Sequence, residues 1–183
     1  SCKDINMQNK LNLELKYFCP DFSPIRKVLS EIGAKKIIVK NQKDYFFNLP
    51  LKKTNPRLKL RIEGKNQTLV YYERPNFKEN KANSAKVILF PVKDKKLFKF
   101  LSETLGVKAI VIKTRELWEK DNAIFNLDDV KSVGKIFEIE ITTNEENKDK
   151  AQKSFNNYQK KFRPHLAKII KGSNLDLVSR TGK

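Results

Sequence analysis

Hydrophobic and polar residues alternate along several short stretches of the chain. In residues 10–18, KLNLELKYF, three leucines occupy every second position, and Asn12, Glu14 and Lys16 lie between them. In residues 57–61, RLKLR, three cations alternate with two leucines. Successive side chains of a β-strand point to opposite faces, so each stretch predicts a strand with one apolar and one charged face.

The same analysis over the whole chain predicts eight strands and several helices. The strands are predicted at residues 10–18, 35–50 (one strand or two), 57–63, 67–74, 85–92, 107–118, 123–130 and 135–142. Helices are predicted from Ser23 to Gly33, from Asp94 to Gly106 and from Asn144 to Phe162, and a short one is predicted to run on to Lys171 after Pro164. Because strands mostly follow strands, we expect an antiparallel α+β fold, with residues 1–183 forming a single domain.

The charged faces of these strands differ in sign. Glu138 and Glu140 share one face of FEIEI, whereas Lys113 and Arg115 share one face of VIKTR. A one-sided sheet with its charges in water would explain any single strand. A sheet closed with its polar faces inward would explain the whole set, because carboxylates on one wall could hold a divalent cation and cations on another could hold phosphates. We therefore interpret the fold as a closed eight-stranded antiparallel β-barrel with a charged lumen and helices packed outside.

Composition narrows the class of partner. The chain carries 39 Lys and Arg against 21 Asp and Glu, a net charge of +18. This excess favours polyanionic partners, although a Lys-rich and Asn-rich composition can also give a soluble surface without a partner. No apolar run is long enough to span a bilayer, so we expect no membrane partner. The chain begins at Ser1, which fits either a processed secreted protein or a trimmed cytoplasmic one, and Cys2 and Cys19 fit either a disulfide or two thiols.

The order and spacing of these segments resemble the CYTH superfamily, the triphosphate tunnel metalloenzymes, and most of all its adenylyl-cyclase-like branch. The resemblance is carried by NLELKY, KNQKDYFF, RLKLR, YYERP, LGVKAIVIKTRELW, LDDVKSVGKIFEIEI and GSNLDLV. It implies a closed tunnel of eight antiparallel strands that binds a triphosphate-bearing ligand with Mg²⁺ or Mn²⁺.

The resemblance also implies roles for individual residues. The residues matching the metal-binding carboxylates are Glu14, Asp128, Glu138 and Glu140. The residues matching the phosphate-binding lining are Arg57, Lys59, Arg61, Arg74, Lys113 and Arg115, and Lys86 could point into the same lumen. Glu14 and Lys16 match the catalytic signature, and Lys16 could deprotonate the attacking group if surrounding cations lower its pKa. Asp44 matches a recurring acidic position. Independently of the resemblance, Tyr71 and Tyr72 alternate faces, so at most one of them lines the lumen, and that one could contact a base or ribose.

Two departures leave the function open between classes. Asn12 stands where the signature has a first Glu, and Ile124 stands where many relatives have an Arg. A metal-dependent triphosphatase or cyclase acting on ATP, thiamine triphosphate, inorganic triphosphate or polyphosphate would fit the lining. A secreted protein that scavenges nucleotides or polyphosphate without turnover would fit the departures. No segment reproduces a known RNA- or DNA-binding module, so we expect no specific nucleic-acid partner.

Overall fold

A computed structural model describes residues 6–50, 55–73, 83–170 and 174–181 of the chain. These residues form nine strands and four α-helices. In chain order they are β1 Asn6–Phe18, α1 Ser23–Glu31, β2 Lys35–Phe47, β3 Arg57–Glu63, β4 Asn66–Glu73, β5 Asn83–Val92, α2 Lys96–Leu105, β6 Val107–Lys120, β7 Ala123–Val130, β8 Gly134–Thr143, α3 Lys148–Phe162, β9 Ile169–Ile170 and α4 Asn174–Thr181.

The strands form one antiparallel sheet in the order β5-β4-β3-β2-β6-β7-β8-β1-β9. The first half of β1 also pairs with β5, from Asn6 opposite Leu89 to Asn12 opposite Asn83. Each strand from β1 to β8 therefore has a hydrogen-bonded neighbour on both sides. The predicted α+β class and antiparallel sheet are confirmed. Closure of the sheet into a complete barrel stays a prediction, which the β1–β5 pairing supports.

The predicted number of eight strands is wrong, because the described part of the sheet has nine. β9 pairs with β1, with Ile170 opposite Lys16 and Ile169 opposite Tyr17. The short helix predicted to reach Lys171 is also wrong: in the described residues, a single 3₁₀ turn, Arg163–His165, lies between α3 and β9. The two isoleucines have β-branched side chains, which restrict rotamers in a helix and pack well on a sheet.

The helices cover much of the outer, apolar face of the sheet. Alternate residues of β1, β7 and β8, including Leu13, Phe125 and Phe137, form one core with Phe155 and Phe162 of α3. Leu101 of α2 packs against residues of β2 and β3 in a second cluster. The expectation that helices cover the outer faces is only partly right, because Ile110 and Ile112 of β6 remain about 40% exposed (42% and 39%). Within the described ranges, no helix is long and apolar enough to cross a membrane.

The inner face of the sheet changes from charged to apolar at one end. Phe46, Val111, Val130 and Ile136 each lie two residues from a charged inner residue, so they share its face. They form a cluster with Leu175 and Leu177 of α4, all under 9% exposed. The C-terminal helix therefore covers an apolar floor at this end, and the charged side chains lie beyond it.

Candidate functional site

The inner face lines a cavity of about 290 Å³ that seven strands contribute to. Most of its lining is charged, which confirms that these alternating faces point inward rather than to bulk water. The lining residues are Glu14, Lys16, Asp44, Phe46, Lys59, Arg61, Val70, Tyr72, Val87, Leu89, Lys113, Arg115, Glu138 and Glu140. Acids and bases from distant parts of the chain thus meet in one cavity.

Four of the cations are arranged as two Lys-x-Arg units, each held by one buried aspartate. In the first, Asp44 of β2 lies opposite Arg61 of β3. Its carboxylate accepts hydrogen bonds from Arg61 Nε and Nη2, both at 2.7 Å, and from Lys59 Nζ at 2.8 Å. Asp44 is 3% exposed. One carboxylate therefore orients two cations that lie two residues apart on the neighbouring strand.

The second unit repeats this arrangement on β6 and β7. Asp128 lies opposite Arg115 and accepts hydrogen bonds from its Nε and Nη2, both at 2.6 Å. Lys113 Nζ donates to the same carboxylate at 2.8 Å. Arg115 Nη2 also contacts Glu138 at 3.1 Å, which links this unit to the acids of β8.

These contacts shift the pKa values of both anchors and lysines. Burial alone would raise the pKa of the Asp44 carboxyl, but Lys59 and Arg61 outweigh burial and hold it well below its usual range. Lys113 and Arg115 do the same for the pKa of Asp128. Burial, reinforced by a neighbouring arginine, lowers the pKa of Lys59 to about 7 and that of Lys113 to about 8. The lysines are therefore the members of the units whose charge can change near neutral pH.

The acidic side of the cavity lies on β1 and β8. Glu14 lies opposite Glu140, and Lys16 lies opposite Glu138. Lys16 Nζ contacts Glu14 at 2.8 Å and Glu138 at 3.6 Å. The surroundings predicted for Lys16 are thus wrong: carboxylates flank it, and the lysines that lie near other cations are Lys59 and Lys113.

The oxygen atoms on the acidic side of the cavity are of the kinds that bind divalent cations. Asn12 Nδ2 donates to Glu140 at 2.8 Å, and the buried Asn12 Oδ1 has no hydrogen-bond partner among the described residues. Mg²⁺ and Mn²⁺ are coordinated in proteins by carboxylate and amide oxygens. Across the described ranges, however, no three His, Cys, Asp or Glu side chains are close enough together to hold a metal ion. The oxygen donors are present, and several of them are held by cations.

Several predicted site residues lie outside the cavity lining or outside the described residues. Val87 and Leu89 of β5 line the cavity, so Lys86 lies on the opposite face of the strand, where it is exposed. The prediction that Lys86 faces the lumen is therefore wrong. Arg57 lies outside the cavity lining, and its Nη2 contacts Asp176 of α4 at 3.3 Å. Arg74 lies outside the described residues.

Two further sequence expectations have clear outcomes. Asp128 was expected to bind metal, but its carboxylate is engaged by Lys113 and Arg115, and it is 1% exposed. Of the two adjacent tyrosines, Tyr72 lines the cavity, as the alternation allowed. Cys19 is buried and Cys2 lies outside the described residues, so a disulfide between them stays a prediction.

The fold and the site together define the class of protein: an antiparallel α+β domain with an internal cavity lined by paired acids and bases. The CYTH domain family model matches residues 10–171, and the chain therefore belongs to the CYTH domain family. The resemblance seen in the sequence is confirmed.

Individual relatives agree with this assignment. The chain is 27% identical over 173 residues to "Putative adenylate cyclase MJ0240" of Methanocaldococcus jannaschii, covering 91% of this chain and 98% of the relative. The structure of the PH1012 protein from Pyrococcus horikoshii is similar, with a TM-score of 0.76 and 20% identity over 92% of this chain and 99% of that one. The X-ray structure of "a putative adenylate cyclase" from Vibrio parahaemolyticus is also similar, with a TM-score of 0.73 and 17% identity over 94% of this chain and 99% of that one. At these identities the solved structures support the fold.

Proposed function

We propose that the chain binds the triphosphate group of a small molecule inside the charged cavity, together with Mg²⁺ or Mn²⁺, and hydrolyses or cyclises it. The observation that carries the proposal is the pair of Lys-x-Arg units, because four cations held by buried aspartates point into one cavity. Family membership and the relative named for adenylate cyclase agree with it. The pairing of β1 with β5 supports a closed tunnel around the site.

The proposal gives the cations the main chemical work. Phosphoryl transfer spreads negative charge over non-bridging oxygens, so catalysis depends on positioned positive charge more than on a protein nucleophile. Lys59, Arg61, Lys113 and Arg115 would bind these oxygens, and their aspartate partners fix them before the ligand arrives. Preorganised charge of this kind needs little rearrangement in the transition state.

The acidic side would hold the metal ion. Glu14, Glu138 and Glu140 are the carboxylates that β1 and β8 contribute to the cavity, and Asn12 Oδ1 lies beside Glu140. A divalent ion bound there would polarise phosphoryl oxygens. In a hydrolytic reaction Glu14 or Glu138 would orient the attacking water. In a cyclising reaction the cavity would hold a ribose 3′-hydroxyl in line with the α-phosphate. Lys16, between Glu14 and Glu138, would donate hydrogen bonds to the reacting oxygens.

The test is the product released from ATP and from inorganic triphosphate, with Mg²⁺, Mn²⁺ or a chelator present. Release of pyrophosphate from ATP would support cyclase chemistry, and release of phosphate would support a triphosphatase. Glu14→Ala should abolish most of the metal-dependent turnover, whereas Glu146→Ala, a change at an exposed position between β8 and α3, should leave it unchanged. Equal turnover by both variants and the wild type would refute the site assignment.

Binding without turnover is the second candidate, and Asn12 favours it. An amide oxygen ligates a divalent ion without bringing a negative charge, so it holds the ion less tightly than the expected Glu would. Asn12→Glu separates the two candidates. If the wild type binds triphosphate but releases no product, and the variant gains metal-dependent turnover, then the neutral Asn12 is the reason for the inactivity.

A further inference from the structure

We propose that the cavity selects triphosphates that carry a large organic group, such as a nucleoside, over inorganic triphosphate, through an apolar wall formed by β4 and β5. This inference rests on the proposed function and specifies its ligand. The apolar wall consists of Val70 and Tyr72 of β4 and Val87 and Leu89 of β5, all of which line the cavity.

The wall is a continuous surface. Val70 lies opposite Leu89 and Tyr72 lies opposite Val87 in the antiparallel register, so the four side chains form two adjacent cross-strand pairs. The charged lining residues all come from β1, β2, β3, β6 and β8. The cavity is therefore divided by strand, with ionic groups around one side and β4 and β5 forming an apolar side.

The apolar wall adjoins the phosphate-binding cations directly. Lys59 Nζ lies 6.0 Å from the ring centroid of Tyr72 and 5.3 Å from that of Phe46. A ligand whose phosphates contact Lys59 would thus bring its next chemical group against the wall. Tyr72, Val87 and Leu89 are only partly buried, so they retain apolar surface that a ligand could cover.

Inorganic triphosphate has nothing to place against this surface. Its oxygens are anionic at both ends, and desolvating them beside apolar side chains without hydrogen bonds is unfavourable. A nucleoside or a similar organic group gains free energy from the same contact, because burying apolar surface contributes about 25 cal/mol per Å². Ligand sites generally combine such apolar walls with a few polar groups that fix orientation. The division of the lining thus points to a ligand with an anionic end and an organic end.

The experiment measures dissociation constants by titration calorimetry for ATP, methyl triphosphate and inorganic triphosphate, with Mg²⁺ present. Methyl triphosphate is an ester without a base, so it separates the charge of an ester from the contact made by the organic group. We expect ATP to bind at least about tenfold more tightly than methyl triphosphate or inorganic triphosphate, as a contact of about 60 Å² would give.

Variants assign the preference to the wall. Leu89→Ala should weaken ATP binding about fivefold, the factor for about 40 Å² of lost apolar contact, and should leave inorganic triphosphate within twofold. Val87→Thr keeps the shape of the side chain and should act in the same direction, which covers the case in which Leu89→Ala does not fold. Phe90→Ala is the control, because Phe90 is on the opposite face of β5 and is 38% exposed.

The outcomes separate this inference from the proposed function. Equal affinities for all three ligands, or variants that weaken ATP and inorganic triphosphate equally, would overturn the inference and leave triphosphate binding intact. Failure of all three ligands to bind would overturn both. Weakening of ATP alone, with no effect of Phe90→Ala, would establish the β4–β5 wall as the site of selectivity.

Discussion

Asp44→Asn removes the negative charge from one Lys-x-Arg unit and keeps the shape of the side chain. Asp44 is 3% exposed and accepts three hydrogen bonds from Lys59 and Arg61. Removing one partner of a buried ion pair costs about 3–5 kcal/mol, because the remaining charges are left buried without compensation. Lys59 can relieve part of this by losing its proton, since its pKa is already about 7. We therefore expect a loss near the lower end, about 3 kcal/mol.

Urea denaturation at pH 7 measures this loss, and a thermal scan should show a fall of about 6–12 °C in Tm for a chain of this size. Asp129→Asn is the matched control, because Asp129 is exposed next to the second anchor and should change the free energy of unfolding by less than about 0.5 kcal/mol. Inorganic triphosphate with Mg²⁺ should raise the Tm of the variant more than that of the wild type, because the ligand supplies the missing negative charge.

The contribution of Asp44 to the free energy of unfolding should depend on pH. The pKa of Asp44 is lowered in the folded protein, so its contribution to stability is fully present above its ordinary value of 3.8 and declines as the pH falls below that value. The wild type should therefore approach the variant in stability at acid pH. A loss below about 1 kcal/mol at pH 7, or an equal loss in Asp129→Asn, would refute the view that this buried carboxylate holds the cations in place.

Three other changes test different parts of the molecule. Affinity for inorganic triphosphate should fall as the pH rises from 6 to 9, because Lys59 loses its charge above a pKa of about 7. The charged groups that face Lys59 are Asp44, Arg61 and Lys113. Lys59→Arg should flatten this part of the pH profile, and an unchanged profile in the variant would contradict the assignment. Leu175→Ala should lower the free energy of unfolding by about 2–4 kcal/mol, because the side chain is 1% exposed in the apolar floor, and a loss below 1 kcal/mol by urea denaturation would argue against docking of α4 there. Chelation of divalent ions should weaken triphosphate binding by more than tenfold in the calorimeter, whereas anion capture by the outer surface would respond to salt instead.

The sequence predicted the strands well where one face was apolar throughout. β1, β3 and β8 have strict alternation, so both the strand and its inward face could be predicted, and Glu14, Lys59 and Glu138 line the cavity as expected. The same argument fails for β5. Its segment VILFPV is apolar at successive positions, so alternation cannot tell which set points inward, and Lys86 was assigned to the wrong face. β9 was missed because two residues are too short to show any period.

Pairing between strands was the part of the site that the sequence could not supply. The roles of Asp44 and Asp128 depend on which residue lies opposite them, Arg61 and Arg115 respectively, and cross-strand register is not written in local periodicity. Asp128 was therefore assigned to the metal, as the family pattern implied, although its hydrogen bonds go to cations. The environment of Lys16 was misjudged for the same reason, since its acidic neighbour Glu138 lies 122 positions further along the chain (138 less 16).

The charge of the cavity differs from that of the chain as a whole. The lining contains five cations and four carboxylates, so the cavity is close to neutral, and most of the net charge of +18 lies elsewhere on the molecule. The overall excess can thus attract a polyanion to the surface, but it does not neutralise one inside. A triphosphate carries about four negative charges, more than the one surplus cation of the lining can balance. Entry of the anion without a divalent cation would leave buried negative charge uncompensated, so anion and metal should bind together rather than independently.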